Sequence, residues 1–229
     1  MIRLLPKTIF VLFILLSGVS FGQKPTKTLV YVMDPVCVWC YGNIKTINQI
    51  QKKVEGKIPM VAYCGGMWLD DEVPNGGVEF YKLLKKHNPG VVIKTKERFS
   101  PEYYRSLMDS TYRFSSYEPS KALWIIKNIH PNKFWDFKEN VQRGIFEKAM
   151  RTDSFDGYLQ IIDEMGLDHN AFSEMWNSKD VDAQVRSEFK ISASYSSSYP
   201  TLILVEGDKR EIIGKGYFYA DKVLEKLGL

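Results

Sequence analysis

Two cysteines separated by two residues stand out in the stretch DPVCVWCYG, residues 34–42. A pair at this spacing can exchange disulfides, contribute to a metal site, or simply pack in a core. Disulfide exchange requires a thiolate, and the start of a helix favours the anion because unpaired backbone N–H groups and the helix dipole face it. We therefore expect Cys37 to be the nucleophile and Cys40, one helical turn further on, to be the resolving thiol.

The elements predicted around the pair place it at a strand-to-helix turn. KTLVYVM, residues 27–33, has the composition of a buried strand, and Asp34-Pro35 ends it. Apolar residues then recur at helical spacing over residues 38–54, and KIPMVAY, residues 57–63, is a second short strand. Strand, turn, helix and strand together form one βαβ unit.

The rest of the chain divides into a helical block and a return to strands. Predicted helices begin near Val78, Pro101, Pro119, Phe134, Ser154 and Asn170. The serine-rich patch SASYSSSYP, residues 192–200, is predicted to be a loop that leads into a strand over 201–207. An antiparallel partner over 210–214 and a final amphipathic helix follow.

This order is that of an α/β thioredoxin-like fold split by a large inserted helical domain, and the local residues resemble those of the DsbA-like thiol-disulfide oxidoreductases, especially the DPxCxWC branch. The resemblance rests on four stretches: DPVCVWCYG, GGM after the second strand, GIFEKAMRTDSFDGYLQIIDEMGLDHNAFSEMW in the helical block, and SYPTLIL at the third strand. After a signal peptide (1–22), predicted from the order of the N-terminal residues, the resemblance implies a first thioredoxin-like half (23–67), a helical insertion (68–190) and a second half (191–229).

The resemblance also implies site residues at the third strand. In the family, the proline that opens this strand is cis and lies against the CxxC pair, so Pro200 is expected to act beside Cys37 and Cys40. Tyr199 and Thr201, on either side of Pro200, are expected to bind the substrate. The alternative is a trans proline that merely starts a strand, where its missing N–H does no harm.

Side chains close to the pair each allow two interpretations. Trp39 and Tyr41 either bind unfolded clients through an apolar surface or pack the helix start against the insertion. Asp34 is a possible proton relay for Cys40, because a carboxylate near a buried thiol can act as a base, but an Asp before Pro is also a common turn residue. Cys64 is expected to be a small core residue and not a third redox group.

The first 22 residues have the order of a secretory signal peptide. Two basic residues precede an apolar run over residues 9–16, and small residues at Ser20 and Gly22 place cleavage between Gly22 and Gln23. The run is shorter than the roughly 20 residues that cross a bilayer. We therefore expect an exported, periplasmic protein without stable membrane insertion; the alternatives are an uncleaved anchor or a hydrophobic first strand.

Charge and ligand spacing narrow the possible functions. The chain has 31 Lys and Arg against 27 Asp and Glu, and two of the basic residues lie in the first 22, so the remainder is nearly neutral. This balance gives no reason to expect nucleic acid as a partner. A structural zinc site takes about four ligands, and beyond the pair the chain offers only Cys64 and three scattered histidines. A metal-binding module is therefore a weaker alternative, and no metal is expected.

The function implied by the resemblance is a protein dithiol-disulfide oxidoreductase or isomerase whose redox-active group is the Cys37/Cys40 disulfide, with no other cofactor. Its partners would be cysteine-containing client proteins and a membrane protein that re-oxidises or re-reduces the pair. A glutathione-dependent transferase or isomerase on the same fold is the alternative, although such relatives usually lack the second cysteine. No charged residue separates the cysteines, and no Lys or Arg follows before Lys45. We therefore expect the helix start alone to stabilise the thiolate, which predicts a weaker oxidant than DsbA.

Overall fold

A computed structural model describes residues 27–229; the predicted signal peptide and its cleavage site lie outside the described residues. One sheet has the strand order β2-β1-β3-β4. Its strands are β1 (Lys27–Met33), β2 (Met60–Cys64), β3 (Thr201–Glu206) and β4 (Lys209–Lys215). β1 pairs in parallel with β2 and antiparallel with β3, and β3 pairs antiparallel with β4. The sheet therefore joins strands from the two ends of the described chain.

The helical part of the βαβ unit is broken in the middle. The sequence predicts one helix over residues 38–54, but the structure has two, α1 (Val38–Gly42) and α2 (Ile44–Val54). Asn43 lies at the break, and its buried side chain donates from Nδ2 to the carbonyls of Trp39 at 2.8 Å and Gly216 at 3.1 Å. These bonds fix the end of α1 to the segment that follows β4.

Between β2 and β3, seven α-helices lie within the described residues. They are α3 (Val78–Thr95), α4 (Pro101–Ser106), α5 (Tyr117–Ile129), α6 (Phe134–Glu147), α7 (Phe155–Glu164), α8 (His169–Trp176) and α9 (Lys179–Tyr195). The first six begin within two residues of the predicted starts. A last helix, α10 (Ala220–Leu227), follows β4. None of the helices in residues 27–229 is long and apolar enough to cross a membrane.

The predicted loop over 192–200 is wrong in its first four residues, because α9 continues to Tyr195. Serine is disfavoured in helix interiors because its hydroxyl forms hydrogen bonds with nearby backbone groups and so competes with the helical hydrogen bonds. Burial of Val185, Phe189 and Ser192 along one side of α9 overrides that preference. In addition, the Tyr195 ring stacks on the Tyr63 ring of β2, with centroids 5.8 Å apart. The chain therefore reaches the β3 loop directly from a long helix.

The core lies between the sheet and the helices that cover it. In β1, residues from Leu29 to Met33 are buried, which is the pattern of a central strand covered on both faces. The α2 side chains Ile44, Ile47 and Ile50 are fully buried at helical spacing. The fold is therefore the split α/β thioredoxin-like architecture that the sequence predicts.

Candidate active site

Cys37 and Cys40 lie at the turn between β1 and α1. Cys37 is the N-cap residue of α1, and its N–H donates to the Asp34 carbonyl at 3.2 Å. Cys37 is 6% exposed, whereas Cys40 is 0% exposed. All three cysteines of the chain are free thiols. A sulfur of another protein therefore reaches Cys37 before it reaches Cys40.

The environment of Cys40 favours its protonated form. Burial raises the pKa of Cys40 well above the ordinary thiol value, and the adjacent Cys37 raises it further. The backbone N–H of Asp34, which donates to Cys40 Sγ at 3.4 Å, acts in the opposite direction. Cys40 is thus suited to the second step of an exchange, since it does not compete for the first attack.

Asp34 is a buried carboxylate that connects three segments. It accepts hydrogen bonds from Val36 N at 3.0 Å, Met67 N at 2.7 Å and Ser116 Oγ at 2.9 Å. Burial raises the pKa of Asp34, and these bonds oppose the rise. The bonds hold the CxxC turn against the residues after β2 and before α5. The proton-relay role of Asp34 stays a prediction.

The loop before β3 faces Cys37. The Tyr199–Pro200 peptide bond is cis. The Cys37 thiol donates to the Tyr199 carbonyl at 3.7 Å, and the half-buried Tyr199 side chain donates from its hydroxyl to the Gly65 carbonyl at 3.0 Å. The structure thus brings together the CxxC turn, the end of β2 and the proline loop.

Two glycines after β2 are required by this arrangement. A Cβ on Gly65 would lie 2.0 Å from the nearest atom of the Tyr199 ring, so a larger residue would displace that ring. Gly66 has a φ of 65°, in the left-handed region that glycine adopts most readily. The backbone then leads to Met67, whose N–H reaches Asp34.

The burial of Tyr41 corrects the prediction that it binds substrate. Tyr41 is 0% exposed. Its hydroxyl lies 2.6 Å from the Arg98 carbonyl and 2.8 Å from a Glu147 carboxylate oxygen. Its ring packs against Phe99 and Phe146, at centroid distances of 5.3 Å and 4.7 Å. Tyr41 therefore anchors α1 to the helical insertion, the second of its two sequence interpretations.

Thr201 is also corrected, because its side chain is fully buried. Its hydroxyl donates to the Ser198 carbonyl at 2.7 Å and so shapes the loop from inside. Trp39 and Tyr199, the other two predicted substrate-binding residues, are partly exposed near Cys37. These two side chains remain available to a partner.

The sequence interpretation missed a buried lysine beside Tyr31 of β1. Lys138 of α6 is 0% exposed, and its Nζ lies 6.0 Å from the centroid of the Tyr31 ring. Among the described residues, neither Lys138 Nζ nor the Tyr31 hydroxyl has a hydrogen-bond partner. Its burial could have been predicted from helical spacing, because Lys138 falls on the apolar face of α6 between Phe134 and Val141.

Cys64 has the surroundings of a core thiol. It is 3% exposed, and its Sγ lies 3.9 Å from Met33 Sδ. Burial raises the pKa of Cys64, and the nearby Glu188 carboxylate raises it further. Within residues 27–229, no group of three or more His, Cys, Asp or Glu side chains is placed to hold a metal ion.

Comparison with solved structures defines the fold class: the chain has the DsbA-like thioredoxin fold, as the sequence resemblance predicts. A candidate protein disulfide isomerase from Nitrosomonas europaea superposes with a TM-score of 0.78 at 18% identity, covering 89% of this chain and 96% of that chain. The cytosolic disulfide reductase DsbM from Pseudomonas aeruginosa, which has also been solved with GSH, gives 0.72 at 20% identity, covering 88% and 97%. DsbA from the same organism gives 0.53 at 14% identity, covering 90% and 83%. The sequence matches no family model and none of the curated proteins searched.

Proposed function

We propose that this protein is a dithiol-disulfide oxidoreductase that exchanges disulfides with cysteines of other proteins. The position of Cys37 carries the proposal. Cys37 is the N-cap residue of α1 and the more exposed of the pair, and its thiol lies 3.7 Å from the carbonyl of Tyr199. Cys40 follows one turn later and is completely buried. An accessible sulfur with a protected second sulfur behind it is what two-step exchange requires.

The steps follow from this order. In the reducing direction, the Cys37 thiolate attacks a client disulfide, one client sulfur leaves as a thiolate, and the other becomes bonded to Cys37. The Cys40 thiolate then attacks Cys37 Sγ, the remaining client sulfur leaves, and the Cys37–Cys40 disulfide forms. Two electrons pass from the protein dithiol to the client. Oxidation of a client runs the same steps in reverse, and neither direction requires a further cofactor.

We assign client contact to Trp39 and Tyr199, and we assign to the buried Pro200 the placement of the loop beside Cys37. The first two are partly exposed beside Cys37, and their rings offer apolar surface with a polar edge. Pro200 lies next to the carbonyl that faces the Cys37 thiol. An extended client segment on this wall would have its sulfur close to Cys37.

The compartment and redox partner form a separate part of the proposal. We infer export with cleavage between Gly22 and Gln23 from the signal-like order of residues 1–22. DsbM, which shares the fold, is cytosolic, so the inference of a periplasmic location rests on that N-terminal order alone. In the periplasm, a membrane protein would restore the pair to its working redox state.

Single-cysteine variants test the function. Cys40→Ala should accumulate mixed disulfides with client proteins, because Cys37 still attacks but nothing resolves the product. Cys37→Ala should form none and should lose all exchange activity. Non-reducing electrophoresis with thiol counting gives the readout, and Cys64→Ala is the matched control, expected to behave as the wild type. Trapping by Cys37→Ala instead of Cys40→Ala would show that the roles are reversed.

A serine substitution at Cys40 addresses the glutathione-dependent alternative. A transferase or isomerase that uses only one sulfur would keep its activity in Cys40→Ser, whereas dithiol exchange would stop. The reduction potential of the Cys37/Cys40 pair, measured against glutathione, then separates oxidase from isomerase and reductase. We expect a value nearer to about −180 mV, as in protein disulfide isomerase, than to about −120 mV, as in DsbA.

A further inference from the structure

The strand β2 lies at one edge of the sheet, next to the site. In the described part of the chain, β2 pairs with β1 on one side and with no strand on the other. At its end, the Gly65 N–H donates to the Met33 carbonyl of β1 at 2.8 Å. Backbone groups alternate in direction along a strand, so the Ala62 carbonyl and the Cys64 N–H face the open side. An unpaired edge of this kind needs partners for its backbone groups.

A buried ion pair supplies these partners. Glu188 of α9 is 6% exposed, and its Oε1 accepts the Cys64 N–H at 3.1 Å. Lys127 of α5 donates to the Ala62 carbonyl at 3.2 Å and also to Oε2 of Glu188. A neighbouring strand would offer one N–H and one C=O at these two places. The ammonium and the carboxylate therefore stand in for a missing strand.

A continuous series of contacts leads from this ion pair to the nucleophile. Cys64 is followed by Gly65, whose carbonyl accepts the Tyr199 hydroxyl at 3.0 Å. The Tyr199 carbonyl in turn lies 3.7 Å from the Cys37 thiol. Each link is a hydrogen bond or a stretch of backbone. A displacement of the end of β2 would therefore reach the loop that faces Cys37.

Building on the proposed function, we propose that the Lys127–Glu188 ion pair positions the client-binding wall. The pair holds the end of β2 in place and so determines where Tyr199 lies beside Cys37. It contacts neither of the reacting sulfurs. Its loss therefore weakens binding of a client and raises KM, whereas kcat stays close to the wild-type value.

A second ion pair between the same helices provides a matched control. Lys121 of α5 bonds to Asp182 of α9, and these residues precede Lys127 and Glu188 by the same number of positions in their helices. No hydrogen bond from Lys121 or Asp182 to β2 occurs within residues 27–229. Both pairs join α5 to α9, but only Lys127–Glu188 reaches the sheet.

The test replaces each ion pair by apolar side chains, a change that is compatible with folding. The two proteins are Lys127→Met/Glu188→Leu and Lys121→Met/Asp182→Leu. Reduction of a peptide that carries an internal disulfide, with dithiothreitol as the electron donor, gives kcat and KM. The first protein should show KM raised about fivefold, the scale of coupling between residues in contact, with kcat nearly unchanged. The second should keep the wild-type KM.

Two further variants identify the route of the effect. Lys127→Met/Glu188→Gln keeps a side-chain oxygen for the Cys64 N–H and should return KM to within about twofold of the wild type. Tyr199→Phe removes only the hydroxyl that bonds to Gly65 and should by itself raise KM by a similar factor to loss of the pair. In the Tyr199→Phe background, loss of the pair should raise KM no further, because the connection is already broken.

The outcomes separate the two proposals. If the wild type does not reduce the peptide and Cys40→Ala traps no mixed disulfide, the proposed function itself fails. If the wild type reduces the peptide but loss of the Lys127–Glu188 pair leaves KM unchanged, the positioning proposal is overturned and the function stands. A wild-type KM in Tyr199→Phe would overturn it even if the pair variant did not fold. Equal increases in KM for the two ion pairs would also overturn it, since the effect would then come from helix packing.

Discussion

At the scale of single residues, Asp34 illustrates a buried group that organises a site at a cost in stability. Its carboxylate joins the CxxC turn, the Gly65-Gly66 segment and the start of α5 through three hydrogen bonds. Burial disfavours its charge more than these bonds favour it, so the pKa of Asp34 is raised. The sequence indicates a turn or relay residue here. It does not indicate Ser116, which becomes a neighbour only when α5 packs on the turn.

The raised pKa of Asp34 predicts a pH-dependent stability. The folded protein keeps this proton at pH values where the unfolded chain has lost it, so the associated stability is present below about pH 4 and is lost as pH rises through the folded pKa. The free energy of unfolding of the wild type should therefore fall relative to that of Asp34→Asn as pH is raised from about 3 to 7. Urea unfolding over this range gives the difference, with Asp208→Asn in the exposed β3–β4 turn as the control. A difference that grows in favour of the wild type would contradict the raised pKa.

At the scale of elements, the site lies where several secondary-structure elements begin or end. These are the ends of β1 and β2, the start of α1 and the loop that leads into β3. Period-two and period-3.6 patterns locate such elements well, which is why six starts in the insertion agree within two residues. The break at Asn43 and the last turn of α9 escape prediction. Both depend on partners far away in sequence, Gly216 for Asn43 and Tyr63 for Tyr195.

Gly65→Ala tests the contact between two of these ends. A Cβ would lie 2.0 Å from the Tyr199 ring, so the ring and its loop must move, at a cost of about 1–3 kcal/mol in the free energy of unfolding. Disulfide exchange should slow as well, because the Tyr199 carbonyl leaves Cys37. Gly90→Ala in α3, where a Cβ meets open space, is the control and should be neutral or stabilising by up to about 1 kcal/mol. Equal stability and equal exchange rates in the two variants would refute the proposed crowding.

At the scale of the whole molecule, the helical insertion is built into the site. Tyr41 of α1 packs among Phe99 and Phe146 of the insertion, and Lys138 of the insertion lies buried under β1. The order of elements and the cysteine pair are readable from local patterns. The burial of Tyr41 and Lys138 is not, because it is decided by which helix covers which strand.

This integration predicts that the two parts unfold together. Tyr41→Phe removes the hydroxyl that bonds to the insertion and should lower the free energy of unfolding by about 1–3 kcal/mol, with coincident transitions in near- and far-ultraviolet circular dichroism. Tyr219→Phe, at a residue that is 51% exposed, should leave stability unchanged. Two separate transitions in either protein would mean that the parts are energetically independent.

The pairing of β1 with β3 also has a consequence for synthesis on the ribosome. Cys37 and Cys40 precede in the chain the strand Thr201–Glu206 that pairs with β1, and the helices α3 to α9 are translated between them. Until then the nascent chain carries both sulfurs without the Tyr199 carbonyl that faces the first of them. A chain truncated before this point would keep the CxxC motif and lack the assembled site. The complete site therefore forms only after β3 has been synthesised and has paired with β1.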